Sequence, residues 1–244
     1  MRNNRRVSAA AALLVSFAAF VTVSALLSRV FPGGDGILGI LVKLVPYLGG
    51  VFASLACAKL SLRFTYDPSA EEECCVFDGE KSDVYGNAAE KSAENGADEA
   101  KPKDFTWIYA LFALFLLLSV NFVIGAFSPG TEPLSGAKLV LSAAVGVLIK
   151  PIAEELIFRR TYLEILLRRG NLPAWAAVAV QALLFAAIHR GAGALFALFA
   201  GLVLGCLYEK TAKGHGKRRG FYASLAVHAA YNFILYSAMA ATQI

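Results

Sequence analysis

Seven apolar runs decide what this chain can become: residues 7–30, 37–60, 105–127, 139–152 and onward, 174–188, 195–208 and 221–241. A membrane crossing needs about 20 mostly apolar residues, and most of these runs approach or exceed that length. With 57% apolar residues and a mean hydropathy of +0.59, the chain is richer in apolar side chains than a soluble domain, in which they make up about 45–50%. The expected fold is all-α, a polytopic transmembrane helical bundle of about seven spans with an interfacial helical segment.

The breaks between the runs are informative too. The formal charge of +5 does not point to nucleic acid, because the cations sit at segment ends instead of forming one basic face. Read as topogenic charge, Arg2, Arg5 and Arg6 keep the N-terminus cytoplasmic. Counting crossings from there brings Arg168 and Arg169, and then Lys210, Lys213, Lys217, Arg218 and Arg219, to the same side. That order places a multi-pass protein in a cell inner or plasma membrane. The first apolar run outlasts a signal-peptide core of roughly 7–15 residues. It therefore reads as a retained helix, with Val23-Ser24-Ala25 as the cleavage site of the alternative reading.

Residues 61–104 carry twelve acids against five bases and little aliphatic periodicity, so the expectation is a disordered acidic cytoplasmic loop. It divides an N-terminal transmembrane helix pair, 1–60, from a core of 105–244. Cys74 and Cys75 within it are candidates for palmitoylation or redox chemistry, with a chance pair as the plainer reading. Together with Cys57 and Cys206 they show neither metal-ligand spacing nor a disulfide framework.

Ionisable groups at membrane depth are costly and usually serve a purpose. Three apolar segments carry such groups here. In Lys150-Pro151-Ile152-Ala153-Glu154-Glu155-Leu156-Ile157-Phe158-Arg159-Arg160, Glu155 and Arg159 are four apart and share a helical face, where they can pair. Glu154 points about 100° away and is free for proton transfer. The plain alternative is an amphipathic interfacial helix whose charges face water. Phe185-Ala186-Ala187-Ile188-His189 puts an aromatic ring and an imidazole on one face of the next segment. A packing histidine is the competing reading, but Gly170-Asn171-Leu172-Pro173 lies midway between Glu154 and His189 and should turn the chain. Helices running both ways from that turn bring the two side chains to one depth. His228-Ala229-Ala230-Tyr231-Asn232 sets an imidazole and a carboxamide side by side, both able to donate to an oxyanion, or else to knit helices together. His215, in a Gly/Lys/Arg segment, is expected to be solvated.

In this order on successive apolar segments, Glu154-Glu155-x-x-x-Arg159, Phe185-x-x-x-His189 and His228-x-x-x-Asn232 resemble the CAAX-processing and bacteriocin-processing (CPBP, Abi) family of intramembrane proteases. The resemblance covers about residues 139–232, with Arg160 standing where that family usually has glycine. It implies hydrolysis of a peptide bond of a membrane-associated or lipidated peptide or protein within the bilayer. Glu154 and His189 would activate water, His228 and Asn232 would stabilise the oxyanion, and Glu155 would hold Arg159. No cofactor is needed in that scheme. The family has also been described as metalloproteases, and the alternative is a divalent metal such as zinc on Glu154, His189 and His228, although the usual H-E-x-x-H helix is absent.

One geometric tension accompanies this reading. Straight helices from the 170–173 turn lift Glu154 and His189 ~24 Å, whereas His228 rises only ~12 Å from Gly220. Part of 158–169 is therefore expected to lie obliquely or in the interface, and the Cα atoms of Glu154 and His228 to lie within about 15 Å. Two other functions use the same buried groups: a proton-coupled transporter, and a non-catalytic membrane partner or immunity protein. No inverted repeat or pair of broken helices favours the transporter.

Overall fold

A computed structural model describes residues 2–32, 37–64, 106–125 and 136–242. The apolar runs fold as helices: α1 Arg2–Val30, α2 Ile37–Phe64, α3 Thr106–Gly125, α4 over residues 136–169, α5 Ala174–Ala187, α6 Ala192–His215 and α7 Lys217–Ala241. Among the described residues there is no strand. The acidic stretch with Cys74 and Cys75 lies outside them, apart from its first four residues, which prolong α2 to Phe64.

Among the described residues, five helices, α1, α2, α3, α4 and α6, are long and apolar enough to cross a membrane. The 14-residue α5 spans ~21 Å, short of a ~30 Å hydrocarbon core. Large apolar side chains point outward along the bundle, among them Leu14, Phe52, Phe112, Phe122 at 81% exposure and Phe233. Water would penalise such a surface and lipid does not. The protein is a multi-pass helical membrane protein.

The helix α4 is not a plain α-helix. Its α-helical parts, Gly136–Ala144 and Lys150–Glu155, alternate with π-helical stretches at Val145–Ile149, Leu156–Leu163 and Ile165–Arg169. The bonding shift is visible at Lys150, whose N–H reaches the Val145 carbonyl, and at Gly170, whose N–H reaches the Ile165 carbonyl at 2.9 Å. Pro151 supplies one local cause. Its ring would collide with the Val147 carbonyl in a regular turn, and the wide turn at 145–149 relieves that collision.

Turns fall where the small and rigid residues predict. After α4 the chain reverses through Asn171, at φ 47°, and Pro173, whose extended backbone precedes α5. The expected Gly/Lys/Arg loop before α7 is a correction: α6 runs to His215, and Gly216 at φ 85° alone separates it from α7. A left-handed residue can both stop one helix and start the next, so no longer linker is required. His215 consequently ends a helix, 3.4 Å from Arg219.

Small residues set the tightest helix contacts. On α6, Gly201 and Gly205 form a G-x-x-x-G face toward α5, where a Cβ on Gly201 would lie 2.8 Å from the Ala182 Cα. Gln181 of α5 donates to the Gly201 carbonyl at 2.7 Å across this seam. The N-terminal pair joins the bundle through α4: Ser16 of α1, Ser54 of α2 and Tyr162 of α4 share a buried hydroxyl cluster, with Ser16 and Ser54 2.9 Å apart and Ser54 2.7 Å from Tyr162.

Candidate active site

The core of the site lies where α4, α5 and α7 meet. Lys217, at the start of α7, reaches Glu164 of α4 at 3.1 Å, and the same carboxylate binds Arg168 at 2.9 Å and accepts from Tyr208 of α6 at 3.0 Å. The helix α7 therefore begins level with Glu164, not with the 170–173 turn. Ten residues separate Glu154 from Glu164 and eleven separate Lys217 from His228, so the two motifs meet at one depth. Residues 158–169, expected to run obliquely, continue α4 in π-helical form, which advances less per residue than an α-helix.

Glu154, Glu155, Arg159 and His228 are all buried at that level, Glu155 and Arg159 completely. Arg159 Nη1 lies 3.3 Å from Glu155 Oε1, as the four-residue spacing predicts. The same oxygen is 2.9 Å from His228 Nδ1. A carboxylate only accepts, so Nδ1 carries the hydrogen and the ring is held in one orientation. His228 Nε2 then faces Glu154 Oε2 at 3.6 Å, too long for a hydrogen bond. Glu155 thus has His228 as a partner besides the Arg159 that the sequence supplied, and His228 is anchored at one nitrogen with the other directed at the second carboxylate.

Phe185 is the wall these groups share. Its ring centroid is 4.9 Å from the Arg159 guanidinium carbon, 5.0 Å from the Phe158 ring, 4.8 Å from the His189 ring and 6.3 Å from the His228 ring. A buried guanidinium over a phenyl face gains cation–π attraction that partly offsets its lost hydration. His189 lies just past the end of α5 in the turn toward Gly191, not on the helix as its spacing from Phe185 implies. The 2.8 Å bond between its Nδ1 and the Phe185 carbonyl places the hydrogen on Nδ1 and leaves Nε2 as the basic nitrogen. Both imidazoles flank one ring, and His189 is the half-exposed one.

Asn232, one turn beyond His228, donates from Nδ2 to the Gly146 carbonyl at 2.7 Å. Gly146 lies in the first π-helical stretch, packed against the Tyr236 ring. One amide hydrogen of Asn232 is thereby committed to the backbone of α4.

Sequence reasoning missed Tyr47. Its hydroxyl, reaching in from α2, donates to Glu154 Oε1 at 3.2 Å. A tyrosine in an apolar run reads as core or interfacial anchor, and only the Pro46-Tyr47-Leu48-Gly49-Gly50 setting, unusual inside a helix, singles it out.

Among the described residues, no three His, Cys, Asp or Glu side chains are grouped as metal ligands. His228 Nδ1 is engaged by Glu155, which leaves Nε2 as its free nitrogen.

All of these groups except Tyr47 lie in one continuous stretch of sequence. Residues 136–234 match the family of type II CAAX prenyl endopeptidases, Rce1-like. The Rce1-like segment runs from the start of α4 to just past Asn232 and leaves out α1, α2 and α3. It carries Glu154, Glu155, Arg159, Phe185, His189, His228 and Asn232, the residues on which the CPBP resemblance rests. Comparison with curated proteins and with solved structures returns no match. The matched family is one of membrane proteases acting on protein substrates.

Proposed function

We propose that the protein is an intramembrane endopeptidase in which Glu154 and His189 activate a water molecule against a peptide bond. The observation that carries this reading is the Glu154–His228–Glu155–Arg159 chain, which holds an uncommitted carboxylate oxygen opposite an oriented imidazole nitrogen. Glu154 Oε2 accepts a proton from the water as its oxygen attacks the carbonyl carbon. His228, when charged, donates from Nε2 to the resulting oxyanion, and the second amide hydrogen of Asn232 supports it. As the C–N bond breaks, the proton held by Glu154 passes to the leaving amine. His189, with Nδ1 bound to backbone, offers Nε2 to hold the water or relay that proton.

Glu155 keeps His228 in its tautomer and neutralises Arg159, much as a buried carboxylate orients a catalytic imidazole elsewhere. With His228 charged, two carboxylates face two cations and the buried group is balanced. Substrates of this class are peptides or proteins presented at the membrane, lipidated or not, and the basic ends of α4 and α6 support the reading of a cytoplasmic N-terminus in a cell membrane.

The test is cleavage of a quenched-fluorescence peptide library by the detergent-purified protein, with and without a chelator. Wild-type protein should cleave in both conditions, and Glu154→Gln and His189→Ala should remain folded and lose turnover. Cleavage that survives both substitutions would discard the site, and activity abolished by the chelator and restored by zinc would replace the metal-free route.

A further inference from the structure

Outside the Rce1-like segment, the side chain of Tyr47 reaches Glu154. We propose that Tyr47 is a positioning residue for Glu154, so that the N-terminal helix pair is part of the catalytic unit. This rests on the reading of Glu154 as the group that takes a proton from water.

The hydroxyl of Tyr47 donates to Glu154 Oε1 at 3.2 Å while Oε2 faces His228. The two oxygens of one carboxylate therefore have different jobs: one is tied down, the other is presented. Without the tie, rotation about the terminal torsion of the side chain would exchange them, because that torsion has a broad, nearly two-fold profile. Loss of the preferred oxygen's alignment reduces the fraction of encounters in which water, base and carbonyl are in line.

Tyr47 is itself held. Its ring meets Phe20 of α1 edge-on, with centroids 6.1 Å apart. Three residues further on, Gly50 lets α1 and α2 close together, since a Cβ there would lie 2.8 Å from the Phe20 carbonyl oxygen. Pro46 removes the backbone bond to Val42, so α2 is free to adjust beside the tyrosine.

A second contact joins α2 to α4, and Ser16 of α1, 3.4 Å from the Tyr162 hydroxyl, holds the same place without Ser54. Ser54 lies 2.7 Å from Tyr162, as Tyr47 lies 3.2 Å from Glu154. Between these two contacts α2 uses seven residues and α4 uses eight, running in the same direction, and the π-helical turns of α4 absorb the extra one. The helix pair is thus matched to the widened form of α4 at two points, one of which is the base.

The experiment compares Tyr47→Phe and Ser54→Ala with Glu154→Gln in the purified full-length protein. Tyr47→Phe keeps the ring on Phe20 and removes only the donor. It should lower kcat about 10- to 100-fold with KM nearly unchanged. It should also displace the infrared carboxylate stretch that disappears in Glu154→Gln. Ser54→Ala, which loosens the same helix pair without touching Glu154, should lower the melting temperature and leave kcat and that band in place. If Glu154→Gln is inactive while Tyr47→Phe turns over like wild type, or if Ser54→Ala lowers kcat as far as Tyr47→Phe does, the positioning role is overturned and the protease reading stands. If Glu154→Gln still cleaves, the protease reading itself falls.

Discussion

Lys217 Nζ lies 3.1 Å from Glu164 Oε2, and this ion pair at the end of the bundle sets the level at which His228 meets Glu154. Both side chains are nearly buried, with 10% and 6% of their surfaces exposed. Arg168 and Tyr208 complete the carboxylate's shell. One acid thereby ties α6 and α7 to α4 some three helical turns away from the chemistry.

Replacing Lys217 by methionine should therefore cost about 1.5–3 kcal/mol, the range for a hydrogen bond to a charged group, because Glu164 keeps its other two partners. Thermal melting in detergent measures the loss. Turnover should fall as well, since α7 can then shift along its axis and carry His228 with it, and a variant with lowered stability and full kcat would contradict that linkage.

Glu155 and Glu154 are neighbours with opposite expected phenotypes. Glu155→Ala strands Arg159 as an unpaired buried cation and should cost about 3–5 kcal/mol, which a denaturation midpoint would reveal. Glu154→Gln keeps size and hydrogen bonding and should lose about 10²–10⁴-fold in kcat with little change in stability.

Asn232→Ala removes the donor to the Gly146 carbonyl and leaves that oxygen without its partner in a part-buried site. A loss of about 1–3 kcal/mol is expected. Cleavage should fall further than the folded fraction alone accounts for, a comparison that needs activity normalised to folded protein.

Gly201→Ala should destabilise by about 1–3 kcal/mol, because its new methyl would press on the Ala182 backbone across the α5–α6 seam. Gly193, on the same helix, has open space where its Cβ would go. Gly193→Ala is the matched control and should be neutral or stabilising by up to about 1 kcal/mol.

Much of this was legible in the sequence because it rests on local rules. Apolar length gave the helices, Gly170 to Pro173 gave the reversal, and a four-residue spacing gave the Glu155–Arg159 pair. The convergence of Glu154 with His228 also followed, although the simple depth arithmetic opposed it. That arithmetic failed because it measured α7 from Gly220 and α4 from its turn. The long-range pairing of Lys217 with Glu164 resets both origins, and no local pattern announces it. Likewise the second partner of Glu155 depends on which face of α7 turns inward, and Tyr47 depends on how α1 and α2 dock. A lone tyrosine among leucines and valines carries no periodic signal of that docking.

The π-helical stretches of α4 have a consequence for how this protein tolerates changes in length. Glu154 and Glu155 sit on a short regular stretch between two oversized coils, Val145–Ile149 and Leu156–Leu163. Deleting a single residue from the first coil would let it relax to ordinary pitch with its main-chain bonding intact. A π-helical turn takes up one more residue than an α-helical one, so the part of α4 beyond the deletion would keep its facing. The carboxylates could then still face His228, whereas the same deletion in a regular stretch of α4 would swing them away by about 100°.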